Sequence, residues 1–453
     1  MKSVELKEKY EIDIIDLTST GEGVGKVDNF TIFVEGTVTG DKVLVMVQVI
    51  KKKYAIGKLL KIIKPSCYRV EPPCMYFDKC GGCQIQNIDY KYQLDIKSKQ
   101  IKDNLKRIGG FDLKELNIKS IIGMDSAYNY RNKAQYKVSK NGIGFYEKKT
   151  HKVIPIKECL IQSEISQKII SYVNEFVTEN NVSIYDEQTH TGILRGIVER
   201  VSYYNDEIML ILVLNVKSFN LKEKFIKYIN KNLPEVKSIY ININKGRNNV
   251  VLSKENILIY GNEKLIDKIG ELQYKISPLS FFQVNPIQTK KLYDKVKAFA
   301  GLSGNEVIFD LYCGIGTISL YLAKNAKKVY GIEIVPQAIT DAKANMKLNN
   351  INNTEFIVGK AEQKMPQLLE QGVKADIVVV DPPRKGCDEK LINAIIDMAP
   401  MKIIYVSCNP STLARDLKII CNNGYKIEEV QPVDMFPHTG HVESIVLMSR
   451  VEK

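Results

Sequence analysis

The sequence predicts an α/β protein in three parts: an OB-type β-barrel first, a mixed α/β unit in the centre, and a doubly wound, Rossmann-like domain last. Three observations carry this. Short Val/Ile-rich runs crowd residues 1–62 and are punctuated by Gly21, Gly23, Gly25, Gly36 and Gly40, the pattern of a small barrel. From about residue 270, apolar runs of strand length alternate with helical stretches, as in a parallel sheet covered on both faces. Between these parts strands and helices mix without a repeat, and 453 residues suit about three domains.

In the barrel, strands are expected at Tyr10–Leu17, Phe30–Val34, Lys42–Ile50 and Tyr54–Ile63. Lys51, Lys52, Lys53, Lys58, Lys61, Lys64 and Arg69 follow with no acidic residue between them, a stretch suited to phosphate contacts. A cysteine-rich loop at 63–89 belongs with 113–268 in the central unit. The intervening 90–112 is expected as a helix packed on the last domain. Leu94, Ile101, Leu105 and Ile108 give it a 3.6-residue period, Lys97, Lys99, Lys102, Lys106 and Arg107 decorate it, and Gly109-Gly110 stops it. The central unit shows a helix at Gln167–Glu179 and strands at Ile208–Val216 and Ser238–Asn244. In the last domain, 269–453, the strands are Val307–Leu311, Val329–Glu333, Glu355–Val358, Ile377–Val380, Lys402–Val406 and Ser444–Met448.

Charge narrows the partner. Lys and Arg total 65 against 52 Asp and Glu, a net +13 with a pI near 9.0, which favours a polyanion and nucleic acid first. No apolar run reaches the ~18 residues of a membrane span, and the first residues lack the apolar core of a signal peptide. A cytoplasmic protein is expected, with no membrane association, no obligate protein partner, and nine cysteines held as thiols or metal ligands.

The chemistry gathers in the last domain. The strand Val307–Leu311 runs into Tyr312-Cys313-Gly314-Ile315-Gly316-Thr317 and then a helix. Such a glycine turn lets a ligand approach the backbone. Glu333 ends the next strand, where a carboxylate can accept from both hydroxyls of a ribose. Asp381 ends the fourth, in Asp381-Pro382-Pro383. All three features converge on the crevice at the strands' carboxyl ends. A dinucleotide fingerprint would need a third glycine that this turn lacks. Asp310-x-x-Cys-Gly-x-Gly, an acidic strand end and Asp-Pro-Pro together resemble the class I S-adenosylmethionine-dependent methyltransferases.

Strand five ends in Ser407-Cys408-Asn409-Pro410. A cysteine at the mouth of the crevice is badly placed for packing and well placed as a nucleophile. C5 of uracil is a poor nucleophile toward a sulfonium methyl. Thiolate addition at C6 makes C5 enolate-like, and a base must later remove the C5 proton. Glu443, in Pro437-His438-Thr439-Gly440-His441-Val442-Glu443, is the candidate base, with His438 and His441 as positioning residues.

These segments, together with Phe281-Phe282-Gln283-Val284-Asn285, Asp381-Pro382-Pro383-Arg384-Lys385-Gly386, Tyr130-Arg131-Asn132-Lys133 and Leu194-Arg195-Gly196, resemble the RNA uracil-C5 methyltransferase family over nearly the whole chain. The resemblance implies that Gln283, Tyr312, Glu333 and Asp381 bind S-adenosylmethionine. It also implies that Cys408 is the nucleophile, Glu443 the proton acceptor, and Arg131 an RNA contact, with Asp381 also touching the flipped uracil. An RNA cytosine-C5 methyltransferase would carry a second cysteine directly after the proline ending strand four. Arg384 stands there, and the nearest cysteine is Cys387. A non-catalytic RNA-binding assembly factor would have no need of both Cys408 and Glu443.

Cys74-x5-Cys80-x2-Cys83 brings three thiols together, and Cys159 is the candidate fourth. Spacing alone leaves zinc and an iron–sulfur cluster open. The resemblance implies a [4Fe-4S] cluster and identifies the barrel as a TRAM domain, and that combination implies 23S rRNA as substrate, with tRNA as the alternative. Cys67 falls outside the pattern, and Cys387 and Cys421 read as packing or surface residues.

Overall fold

The computed structural model describes residues 4–451. Its barrel is a six-stranded sheet ordered Lys9–Asp13, Lys42–Ile50, Tyr54–Lys64, Phe30–Val34, Gly23–Val27, Asp16–Leu17. The expected first strand is therefore two. It pairs with Lys42–Ile50, breaks after Asp13, and then joins the opposite edge, which closes the barrel. Ile12, Ile32, Val34, Val43, Val45 and Val47 fill the interior. Lys51, Lys52, Lys53, Lys58, Lys61 and Lys64 are exposed. Arg69 is not free with them. It forks onto the buried carboxylate of Asp41 and reaches the Gly36 carbonyl, which ties the barrel's exit to its base.

The central sheet has seven strands, in the order Asn256–Gly261, Val236–Ile243, Ile208–Leu214, Leu194–Val201, Lys133–Ser139, Gly142–Tyr146, Val153–Pro155. One pair, Ile208–Leu214 with Val236–Ile243, is parallel and is connected by the helix Lys222–Asn232. That helix and Ile165–Glu179 cover one face with Phe225, Ile229, Ile169, Val173 and Phe176. On the other face Val198, Met209, Ile211, Val213 and Tyr240 join the core of the last domain.

The last sheet runs Thr354–Val358, Lys328–Glu333, Val307–Leu311, Ile377–Val380, Lys402–Ser407, Glu443–Arg450, Tyr425–Val433. Neighbours among the first five strands are parallel, and Glu443–Arg450 is antiparallel to both of its neighbours. Strands such as Ile377–Val380 are apolar throughout because helices cover both faces. Chain order reverses beside Val307–Leu311, which opens the crevice at the carboxyl ends. The expected boundary at 268/269 falls inside a strand. Leu265–Ile269 forms a hairpin with Leu272–Ile276 whose apolar side chains lie in the last domain's core. Ile118 and Ile122 likewise bridge to Val430 and Val433 of the last sheet.

The helix after residue 89 spans Tyr90–Asn104, capped by Asp89, and widens into a π-turn at Leu105–Gly109 before Gly110 (φ 76°) ends it. Ile101 and Leu105 enter a core shared with Leu413, Ala414 and Leu417. Lys97 does not decorate this helix. It is 1% exposed, with Nζ 2.6 Å from Asp434 Oδ1 and 2.9 Å from the Phe436 carbonyl. Tyr90 Oη donates to the other oxygen of Asp434 at 2.9 Å. Removing one member of such a pair strands a buried charge. Lys97→Met should therefore cost about 3–5 kcal/mol, read as a lowered urea midpoint, and adding Asp434→Leu should recover most of it. An unshifted midpoint in Lys97→Met would mean that the pair does not hold the helix.

Candidate active site

The turn after Val307–Leu311 places the first group of residues. Tyr312 (φ 66°), Gly314 (φ 54°) and Gly316 (φ 80°) all take left-handed conformations before the helix Thr317–Ala323. Tyr312 N–H donates to the Ile332 carbonyl, and Gly314 N–H to Glu333 Oε2 at 3.3 Å. The other Glu333 oxygen accepts from Val335 N–H at 2.9 Å. The space a Gly314 Cβ would enter is open to 4 Å, so a ligand can lie against this backbone. Asp310 beneath the turn is buried and accepts from the Ser319 hydroxyl, and burial pushes its carboxyl up to about 7.

The second group stands where the chain order turns antiparallel. Ser407 pairs with Ser444 in the last two-strand register. One further step of that antiparallel register leads to Cys408 and Glu443, and the Cys408 thiol feels the Glu443 charge. Cys408 is half-buried. Burial and the negative charges of Glu443 and Asp381 push its thiol up to about 11, and Arg384 opposes them. Glu443 is 5% exposed, and burial, then Asp381, raise its carboxyl far above the usual range, again against Arg384. Asp381 is half-buried at its strand end, and desolvation raises it to about 7. These three groups and Arg384 form one electrostatic unit.

Arg384 is the residue that sequence reasoning passed over. Its motif was evident, but nothing local showed that its guanidinium would reach His441 Nε2, at 3.2 Å, or act on both Cys408 and Glu443. Its carbonyl accepts from Asn409 Nδ2 at 2.9 Å and from the Thr412 hydroxyl at 3.3 Å, which locks the Asp-Pro-Pro loop to the Cys408 turn.

Gln283 is positioned through its backbone, whose carbonyl accepts from Asn132 Nδ2 at 3.3 Å. Asn285, two residues on, caps the helix Pro286–Ala300 and donates to the Met435 carbonyl at 3.0 Å. Phe281, two residues before Gln283, is 70% exposed. His438 is buried with φ 65°, and burial lowers it to about 4, so its ring is neutral. Gln93 accepts from its N–H at 3.0 Å and faces its Nδ1 at 3.2 Å.

Cys74, Cys80, Cys83 and Cys159 line one cavity of about 370 Å³ together with Arg131 and Lys133. Burial pushes the Cys159 thiol up to about 11. Among the described residues, no three His, Cys, Asp or Glu converge closely enough to hold a single metal ion. Arg131 lies against this cavity, half-buried, with Nε buried and unpartnered. Of the remaining thiols, Cys387 is buried, Cys421 half-buried and Cys67 exposed. No described helix is long and apolar enough to cross a membrane.

Comparison with known proteins adds the following. Residues 89–451 match the family tRNA (Uracil-5-)-methyltransferase, and residues 4–60 match the TRAM domain. A Clostridium tetani protein described as an uncharacterized RNA methyltransferase is 50% identical over 98% of this chain and 97% of its own length. One from Caldanaerobacter subterraneus is 46% identical over 100% of both. The crystal structure of Pyrococcus abyssi tRNA (uracil-54, C5)-methyltransferase with S-adenosyl-L-homocysteine is 30% identical, with a TM-score of 0.78, over 97% of this chain and all of that one.

The raised carboxyl of Asp381 makes a stability prediction. The folded state keeps a proton there that the unfolded chain releases above the ordinary carboxylate range. The stabilisation is complete below about pH 4 and is lost as pH rises through about 7. Asp381→Asn should therefore raise the ligand-free melting temperature by several degrees at pH 8 and far less at pH 5. Scanning calorimetry giving equal shifts at both pH values would show that this carboxylate is not desolvated.

Proposed function

The chain belongs to the tRNA (uracil-5-)-methyltransferase family, and we propose that it forms 5-methyluridine in RNA through covalent addition of Cys408 to uracil C6. At the coarser level it is an S-adenosylmethionine-dependent RNA methyltransferase with a TRAM domain. The observation that carries the finer reading is the opposed pair Cys408 and Glu443 at the crevice mouth.

The residues of the turn fit the methyl donor. Gly314 leaves its backbone open, Glu333 offers a carboxylate at the strand end, and Tyr312, Asp381 and Gln283 complete the set assigned to binding it. When bound, S-adenosylmethionine supplies an electrophilic methyl. The rest belongs to the protein. Arg384 favours the Cys408 thiolate, whose proton leaves to solvent, and a protonated Glu443, which burial favours, removes the neighbouring anion that would oppose it. Formation of the S–C6 bond moves the thiolate charge into the uracil ring and makes C5 the nucleophile. Once C5 carries the methyl, that charge is gone, and Glu443 releases its own proton to solvent and ionises. Its desolvated carboxylate takes the C5 proton, and the C5–H electrons expel Cys408. The uracil must leave any stack to reach the thiol.

The four cysteines are assigned a [4Fe-4S] cluster with a structural role. The support is the family resemblance and the single cavity that the four cysteines share. A cluster there would join the 74–83 loop to Cys159 and so brace the segment that carries Arg131. We assign 23S rRNA as the substrate, on the resemblance of a chain combining barrel and cysteine set. A tRNA reading has its own support, because the Pyrococcus abyssi enzyme, similar over its full length, is described as acting on tRNA. Mapping 5-methyluridine in rRNA and tRNA from cells with and without the gene separates the two.

Two outcomes test the chemistry. Cys408→Ala should bind RNA and donor yet give neither product nor adduct. Glu443→Gln should complete thiolate addition and methyl transfer but stall at elimination. It should accumulate as a covalent RNA complex that survives denaturing electrophoresis and carries label from the donor methyl. Full turnover by Glu443→Gln would remove that residue from the mechanism.

For the cluster, anaerobically purified protein should be brown and contain iron with acid-labile sulfide. Stoichiometric zinc without sulfide would reject it.

A further inference from the structure

Two openings on the central unit lie away from Cys408 and away from the cysteine cavity's centre. They are adjoining cavities of about 370 and 520 Å³ that share Lys137, Tyr146, His151, Glu187 and Arg195. They sit on the part of the central sheet that neither the two helices nor the last domain covers. The sheet's register explains the opening. Lys137 is paired with Gly196 on one side and Gly144 on the other, so no neighbouring side chain covers it, and a trough runs across three strands.

The walls of the trough are planar groups. The Tyr146 and His151 rings stack at 5.0 Å with 19° between planes. Opposite them the Arg195 guanidinium lies 4.1 Å from the Tyr185 ring centre. Glu187 braces the first wall by accepting from Tyr146 Oη at 2.6 Å and pairing with His151 Nδ1 at 2.8 Å. Arg195 braces the second by donating to the Asn244 and Gly246 carbonyls at 2.6 and 2.7 Å. Both walls are thus held in place without a ligand. Lys137, Lys140, Lys152 and Arg195 outnumber Asp186 and Glu187 around the opening, and the amides of Gln135 and Asn248 stand on its rim. Flat walls, a cationic surround and amide edges are the chemistry of an unstacked nucleobase with its phosphate outside. An exposed β-sheet face is a common platform for it.

The location fits the same ligand. Gln135 and Phe145 line both this trough and the cysteine cavity, and the cysteine cavity extends to Arg131 and to Val284, the residue after Gln283. A continuous surface therefore leads from the crevice to the trough. We propose that this trough binds a second, unpaired nucleotide of the RNA substrate, on the strand that carries the target uridine. This rests on the RNA methyltransferase reading, and it adds a recognition site on the central sheet to the contacts expected of the barrel.

The test uses the full-length protein and a fluorescein-labelled single-stranded oligouridine of about twelve nucleotides, with a duplex of equal length as comparison. Tyr146→Ala and His151→Ala should each weaken single-strand binding by roughly tenfold or more and leave duplex binding and donor binding as they were. Tyr146→Phe keeps the ring and should keep the affinity. Lys137→Ser should reduce the slope of log affinity against log salt by about one. Wild-type single-strand affinity in both alanine variants would overturn the proposal. So would an equal loss in Tyr146→Phe, which would make the Tyr146–Glu187 bond a structural strut. If Tyr146→Ala fails to fold, the exposed His151→Ala decides alone. Binding is read without turnover, so a failure here is distinct from a failure of the Cys408 chemistry, which the adduct experiment reads.

Discussion

The short segment Asp434–His441 is the constraint on which the rest of the active site depends. Its carboxylate holds Lys97 and Tyr90 of the helix after residue 89. Its carbonyls accept from Gln288 at Asp434, Asn285 at Met435, Lys97 at Phe436, Tyr130 at Pro437, and the N–H groups of Gln84 and Ile85 at His438. A Cβ on Gly440 would lie 2.0 Å from the Ser19 carbonyl of the barrel, so even the OB-type unit closes on this strip. Helix, barrel, cysteine loop and crevice helix all meet there, two residues before Glu443. Nearly all of these groups are buried, so each unmade bond would carry a full desolvation cost. Glu443 is thus positioned by elements from every part of the chain.

A second constraint is electrostatic. Strand ends in a doubly wound sheet point several groups into one crevice, and here Asp310, Asp381 and Glu443 meet with little solvent. Three carboxylates so close cannot all ionise cheaply. Burial favours protonated carboxyls in this crevice, and Arg384 is the counter-charge that opposes the rise of the Cys408 thiol among them. The same crowding explains why the residue matters more here than its place in a surface-like Pro-Pro-Arg-Lys-Gly run suggests.

How much of this was legible in the sequence follows from where each signal lies. The parallel strands were plain because burial on both faces leaves unbroken apolar runs, as in Ile377–Val380. Cys408 and Glu443 stand out in the sequence because their chemistry is odd for their position. The strand Gly23–Val27 was missed because two of its five residues are glycine, and Tyr425–Val433 because an edge strand tolerates Glu428, Glu429 and Pro432. Lys97 was misread as surface because its partner lies 337 residues away, and no local pattern marks a lysine that will be buried. Arg69 reads as surface for the same reason. Charge on a sequence reads as exposure until a distant carboxylate or cavity claims it.

The two-sided use of Glu443–Arg450 joins these points. Antiparallel to both neighbours, this strand is the one place in the sheet where a residue from the end of the chain can start level with a strand end from the middle. A parallel strand there would bring its first residue to the far edge of the sheet, a full strand length from Cys408. Reversal of that one strand sets Glu443 beside the thiol. The cost is a connecting segment that must pass over the crevice in irregular backbone, with His438 in a left-handed conformation and its carbonyls turned inward. The buried network around Asp434–His441 is what satisfies that backbone. The barrel and the helix after residue 89 are therefore part of the catalytic geometry as well as of any RNA contact.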